Sequence, residues 1–240
     1  MDSRRETSGK EVPLVRFLER IRKSFSHDLR TPLGTIVNYA AVLEANEGAS
    51  AEEVRDLGRR IRANAQRVAR MVQLLATATG LAGRPIRNAS TDLIVLAKSV
   101  LQDAGGAGRV LMIGDPKKTV ADVDAEILGF AWRAFVAVQS DARGQAIGEA
   151  QISLRAVGDT IQVDLTCGAD EADVANTSAV QPVLELPAFL RSNNGSARLE
   201  NGMGLALAQD LVMSHGGELR VWGKAGSEAG IRVSLDKAAA

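Results

Sequence analysis

The chain has 240 residues, with 29 Lys+Arg against 29 Asp+Glu and a formal net charge of zero. That length allows one or two domains with a sizeable core, and the charge balance gives no bulk electrostatic reason to expect nucleic acid or an anionic membrane as partner. The single cysteine, Cys167, excludes an internal disulfide framework and fits a reducing cytoplasm; no run of about 18 apolar residues is present, and the polar start Met1–Glu6 is not a signal peptide.

After a tail over residues 1–11, apolar residues at Leu14, Leu18, Ile21, Phe25, Leu29, Leu33, Ile36, Ala40 and Leu43 recur at steps of three and four. The spacing predicts an amphipathic helix from about Val12 to Glu44. His27 lies two residues from both Phe25 and Leu29, about 200° round that helix, so it faces solvent or a partner. Asp28 beside it can accept the imidazole Nδ1 proton and leave Nε2 with a free lone pair as a nucleophile. Thr31, one turn on, can hold a water or a phosphoryl oxygen at the same spot. Pro32 removes a backbone N–H and bends the helix there.

Asn46-Glu47-Gly48-Ala49 breaks this helix, and Ser50-Ala51-Glu52-Glu53 reads as a capping box for the next. The second helix carries Val54, Leu57, Ile61, Ala65, Val68, Met71 or Val72, and Leu75 on one face and fades at Gly80, giving a hairpin over residues 12–80. Two helices with one stripe each cannot bury it alone. Pairing two hairpins into a four-helix bundle solves this and predicts a homodimer; the alternative is an arm lying on the chain's own second domain.

Residues 81–90, opening with Leu81-Ala82-Gly83-Arg84-Pro85, read as a linker. Beyond it, over residues 91–240, short strands alternate with helices. Helices are predicted near Asp92–Asp103, Asp124–Ser140 and Gly204–Ser214. Strands are predicted near Arg109–Ile113, Thr119–Val123, Gln151–Val157, Thr160–Thr166, Glu218–Trp222 and Gly230–Leu235. The fold class is therefore α plus α/β, a helical hairpin followed by an α/β sandwich. Gly202-Met203-Gly204 at a helix start, with Gly216-Gly217 at its end, is a second motif: bare glycines let backbone N–H groups approach a phosphate. His215 reads as a helix C-terminal cation or packing residue.

Ser26-His27-Asp28-Leu29-Arg30-Thr31-Pro32-Leu33 resembles the phosphoacceptor box of bacterial two-component sensor histidine kinases, and Asn201–Leu219 is similar to the second glycine box of that family's ATPase-like domain. Leu186–Arg191 looks like its phenylalanine box. The resemblance implies that His27 carries the phosphoryl group, that Asp28 assists it, that Thr31 serves dephosphorylation of the regulator, and that Gly202 and Gly204 approach a nucleotide phosphate. Other nucleotide elements are missing. Aligned on Asp124 and Leu128, the family's two asparagine positions fall on Ala134 and Val138, with Gln139 one residue off. The adenine-binding aspartate falls on or near Cys167, with Asp164 or Asp170 reached only by a slipped register. Neither Ala nor Val offers Mg²⁺ an oxygen, and losing both the metal ligand and the adenine carboxylate argues against ordinary autokinase activity.

Three readings follow. The first is phosphotransfer through His27 to or from a response-regulator aspartate with a degraded ATP site. The second is an active kinase with a divergent site, in which ATP and Mg²⁺ bind. The third is a regulator-binding module or phosphatase acting through Asp28 and Thr31. The expected partners are a response-regulator receiver domain docking near Ile36, Tyr39, Ala40 and Leu43, a second copy of the chain, and a separate sensor protein. No metal site is assigned, and the expected location is cytoplasmic.

Overall fold

The computed structural model describes residues 15, 17–19, 21–22, 28–46, 48–106, 109–113, 119–143, 146–167, 183–184, 199–223 and 229–236. His27, Phe25, Leu14, Leu186–Arg191 and Asp170 lie outside the described residues.

Of the helix expected from Val12 to Glu44, residues 15, 17–19 and 21–22 are helical, Asp28 lies in a π-helical turn, Leu29 keeps helical dihedrals (φ −79, ψ −29), and α1 is Arg30–Ala45. Pro32 sits just past this irregular turn. It cannot donate to the carbonyl four residues back, and it is tolerated in a first turn, where that N–H has no intrahelical partner. Here it is the third residue of α1, and the first regular bond runs from Leu33 N–H to Leu29 C=O at 3.2 Å. The second helix, α2 (Ala51–Ala82), begins as the sequence requires. Ser50 Oγ accepts from Glu53 N–H at 3.3 Å, and the Glu53 carboxylate accepts from Ser50 N–H at 2.8 Å. It runs on past Gly80, because its last turns are buried against the second domain.

The second domain holds β1 (Ala89–Asp92), α3 (Leu93–Asp103), β2 (Arg109–Ile113), β3 (Val120–Val123), α4 (Ala125–Arg143), β4 (Glu149–Val157), β5 (Thr160–Cys167), β6 (Val183–Leu184), α5 (Leu199–Ser214), β7 (Glu218–Gly223) and β8 (Ala229–Asp236). Six strands form one sheet in the order β2-β4-β5-β8-β7-β6, in which β2 and β4 alone run parallel. The strands at 109–113 and 120–123 are neighbours in sequence but not in space: β3 pairs with β1, a strand too short and polar to stand out in the sequence.

Alternation along the strands decides which side is covered. The register aligns Ile152, Leu165, Ile231 and Val221 in one row and Leu154, Val163, Val233 and Leu219 in the next, and this face packs under the helices. The opposite face carries Ser153, Asp164 and Arg232 across three strands. Arg232 donates to both Asp164 oxygens at 2.7 and 2.8 Å, and Ser153 Oγ donates to the same carboxylate at 3.2 Å. Helix α4 is buried nearly all round, with Trp132, Phe135, Val136, Val138 and Gln139 at no exposure. α5 ends in a Gly-Gly stop: Gly216 has φ +81, Gly217 N–H reaches Val212 C=O, and a Cβ on Gly217 would collide with the Ser234 carbonyl.

Candidate functional site

The described part of the phosphoacceptor segment starts one residue after His27. Asp28 is half-buried, Thr31 is exposed as the second residue of α1, and Pro32 is buried beneath them. Thr35 Oγ1 donates to the Thr31 backbone carbonyl at 3.0 Å. Farther along the hairpin Ile36, Tyr39, Ala40 and Leu43 are half-buried. Arg60 lies 5.9 Å over the Tyr39 ring, donates to its hydroxyl at 3.5 Å, and is held on its other side by Asp56 at 2.7 Å. Tyr39 is thus fixed in place by a charged pair from α2 while its flank remains open. The hairpin also leaves apolar side chains uncovered: Val37 is 64 % exposed, Leu33 46 %, Val42 48 % and Val54 45 %.

Around the glycine box the arrangement is different in kind. α5 starts at Leu199 rather than Gly204, so Gly202 and Gly204 lie within the helix. From the fifth helical residue onward each amide is donated four residues back, so the Gly204 N–H is committed to the helix itself. Its Cα face is occupied too. A Cβ there would stand 3.5 and 3.6 Å from the δ-methyls of Leu74 on α2 and 3.6 Å from Ala134 Cβ on α4. Ala134 and Val138 are both buried, and so is Gln139. Cys167 points into the core with no exposure, whereas Asp164, three residues earlier, falls on the opposite sheet face and is engaged by Arg232. Parity along β5 therefore keeps Asp164 away from the helix side of the sheet.

The linker brings a further set of groups together that sequence reasoning missed. Arg84 makes a two-pronged ion pair with Asp124, at 2.6 and 2.8 Å, and also reaches Glu126 at 3.1 Å. Asp124 is 1 % exposed. It caps α4, accepting from the Glu126 and Ile127 N–H groups at 3.2 Å each, and also accepts from Arg87 N–H at 2.8 Å. Burial alone pushes the Asp124 carboxyl up, but the Arg84 guanidinium and the backbone donors of Arg87 and Ile127 outweigh it and hold it at about 2. At the end of α5, His215 Nε2 lies 3.1 Å from the Arg84 carbonyl oxygen, and Nδ1 lies 2.9 Å from the Leu211 carbonyl. His215 is therefore a packing and tethering residue at a helix C-terminus, as its place before Gly216-Gly217 suggested. The only sequence signal for this cluster was Asp124 ahead of an apolar helix; its partner lies 40 residues away.

Residues 18–78 match the family described as His Kinase A (phospho-acceptor) domain. No curated protein is significantly similar to the chain in sequence. Among solved structures, Acinetobacter baumannii histidine kinase AdeS is similar over 88 % of this chain and 98 % of its own, at 14 % identity and a TM-score of 0.52. Histidine kinase ThkA, solved in complex with response regulator protein TrrA, is similar over 98 % of this chain and 68 % of its own, at 12 % identity and a TM-score of 0.59. At these identities the likeness is one of fold: a helical hairpin followed by an α/β domain. No helix among the described residues is long and apolar enough to cross a membrane.

Proposed function

We propose that this chain, whose residues 18–78 match the phospho-acceptor domain family and whose fold is that of solved histidine kinases, works in two-component signalling, that His27 exchanges a phosphoryl group with a response-regulator aspartate, and that the ATP site is degraded. The observation that carries this is the contrast between an intact Ser26–Leu33 box and a glycine box whose Gly204 is packed against Leu74 and Ala134. The His27 Nε2 lone pair attacks the phosphorus of the regulator's aspartyl phosphate. The acyl O–P bond breaks, the aspartate leaves as a carboxylate, and an N–P bond forms; the reverse step delivers the group onward. Asp28 holds the Nδ1 proton, so the ring enters as the tautomer whose Nε2 is free. Thr31 supplies a hydroxyl one turn along.

The residues at the nucleotide positions do not fit ATP and Mg²⁺. Ala134 and Val138 present no oxygen, and a buried adenine amine facing Cys167 would lack a strong acceptor. No step is therefore routed through a nucleotide. The uncovered apolar row Leu33, Val37 and Val54 supports a second copy of the chain as bundle partner. The face around Tyr39 is read as the receiver's dock. A Tyr39→Glu substitution is expected to lower transfer about tenfold, the loss of a modest interface anchor, and unchanged transfer would remove the dock from that face.

Purified protein incubated with γ-labelled ATP and Mg²⁺, beside a His27→Ala control, is expected to stay unlabelled. Presented next with a phosphorylated regulator, the wild type alone is expected to gain acid-labile label. Labelling from ATP would establish the autokinase instead. Loss of regulator phosphate with none on His27 would establish the phosphatase.

A further inference from the structure

The α2 helix carries two apolar faces in succession. Val54, Ile61 and Val68 lie on one side of its first half. Met71, Leu75, Ala78 and Leu81, all buried, lie roughly 90° round on its second half. The first face belongs to the hairpin. The second half of α2 shares one buried cluster with Phe17, Leu29 and the C-terminal domain, and α2 lies against α5 and touches α4. Leu74 of α2 comes up to Gly204, where a Cβ would stand in ordinary contact at 3.5 and 3.6 Å from its methyls. The linker that follows is tied at both its side chain and its backbone, Arg84 to Asp124 at the start of α4 and the Arg84 carbonyl to His215 at the end of α5. Three contacts from different elements therefore hold the two halves in one orientation.

We propose that the glycine box seats the chain's own second hairpin helix, making the C-terminal domain a fixed buttress for the hairpin and not a carrier that brings a nucleotide to His27. This rests on the phosphotransfer reading for its biological sense, but the contact can be tested without any phosphoryl donor. A glycine kept for phosphate binding tolerates no side chain at the approach point. A glycine kept for helix packing, with 3.5–3.6 Å to the nearest atoms, has room for a methyl and is conformationally costly in a helix interior. The two roles give different readouts for one substitution: lost nucleotide binding for the first, an unchanged contact with raised stability for the second.

The experiment is a pulsed-dipolar distance measurement on full-length protein labelled through Ala63→Cys and Lys98→Cys, both exposed positions, diluted into unlabelled protein; the buried Cys167 is left in place. A single narrow distance, unchanged on adding Mg-ATP, is expected. Gly204→Ala should keep that distance and raise the unfolding midpoint by a few degrees. Gly204→Leu should broaden it, and Arg84→Ala, which leaves the apolar core intact, should broaden it even if Gly204→Leu fails to fold. A broad or two-peaked distance in the wild type, a shift with Mg-ATP, or loosening by Gly204→Ala would overturn the proposal. A narrow distance in a protein whose His27 accepts no phosphoryl group would sink the phosphotransfer reading alone, and a mobile domain with active His27 would sink the buttress alone.

Discussion

The hairpin and the C-terminal domain treat their potentially chemical faces in opposite ways. On α1 the groups with chemistry stand outward: Thr31 is exposed, Tyr39 keeps an open flank, and Leu33 and Val37 are uncovered. On α4 and α5 the corresponding faces have closed. Ala134, Val138 and Gln139 are buried, and Gly204 meets Leu74. A helix face that must bind a ligand has to leave room and present polar groups. One that only supports a neighbour is free to trade both for contact area. The same α/β scaffold serves either purpose, so the fold shared with the solved histidine kinases does not choose between them.

The sharpest way to separate the two halves is to damage each where it is thought to matter. His27→Ala should abolish label transfer from a phosphorylated regulator while leaving the urea midpoint unchanged, because the helical spacing sets this position off the apolar stripe, where a side chain contributes little to packing. If label persists, the nucleophile is elsewhere. Leu75→Ala tests the other half. It empties a fully buried position one residue from Leu74, in the cluster shared by the hairpin and the C-terminal domain, and about 3 kcal/mol of stability should be lost, within the 2–5 kcal/mol range for such truncations. A loss below about 1 kcal/mol in chemical denaturation would mean that the two halves barely support each other.

Much of this contrast was visible in the sequence, but unevenly. Periodicity placed β2 at Arg109–Ile113 and α3 to within a residue, because in those elements local pattern and burial agree. The Ser50–Glu53 box announced α2 for the same reason. The partner of β3 could not be read, since β1 is four residues long with only Ala89 apolar, and pairing across about 30 residues leaves no local mark. Pro32 signalled a disturbance, but nothing local said that it would take the form of a π-helical turn at Asp28. The absent oxygens at Ala134 and Val138 were plain from the residue types; that Leu74 reaches the glycine box was not, because the contact joins residues 130 positions apart.

Acid offers a graded test of the linker clamp. The Asp124 carboxyl sits at about 2 when folded, against 3.8 for an ordinary aspartate. The folded state therefore binds fewer protons than the unfolded chain between those values. The stabilisation is fully present above about pH 4 and is lost as pH falls toward 2. The pair is almost entirely buried, with side chains 12 % and 2 % exposed, so the difference corresponds to about 2 kcal/mol. Asp124→Asn should remove that acid-sensitive component and lower stability at neutral pH. A variant whose stability falls with acid as steeply as the wild type's would assign the effect to other carboxylates.

The smallest expected effect lies at the far end of the hairpin, away from every contact with the C-terminal domain. Ser50→Ala removes an acceptor from the Glu53 N–H and breaks the reciprocal box, in which the Glu53 carboxylate also takes the Ser50 N–H at 2.8 Å. Helix caps of this kind are worth about 1 kcal/mol. Because Leu74, which meets Gly204, lies more than twenty residues from the start of α2, the loss should loosen the hairpin tip and leave the α2–α5 contact as it was. Hydrogen exchange resolves this: amides of residues 51–56 should exchange faster while those of 71–81 keep their protection. Equal acceleration along the whole helix would show that α2 opens as one unit, and the hairpin and its buttress would then have to be treated as a single cooperative body.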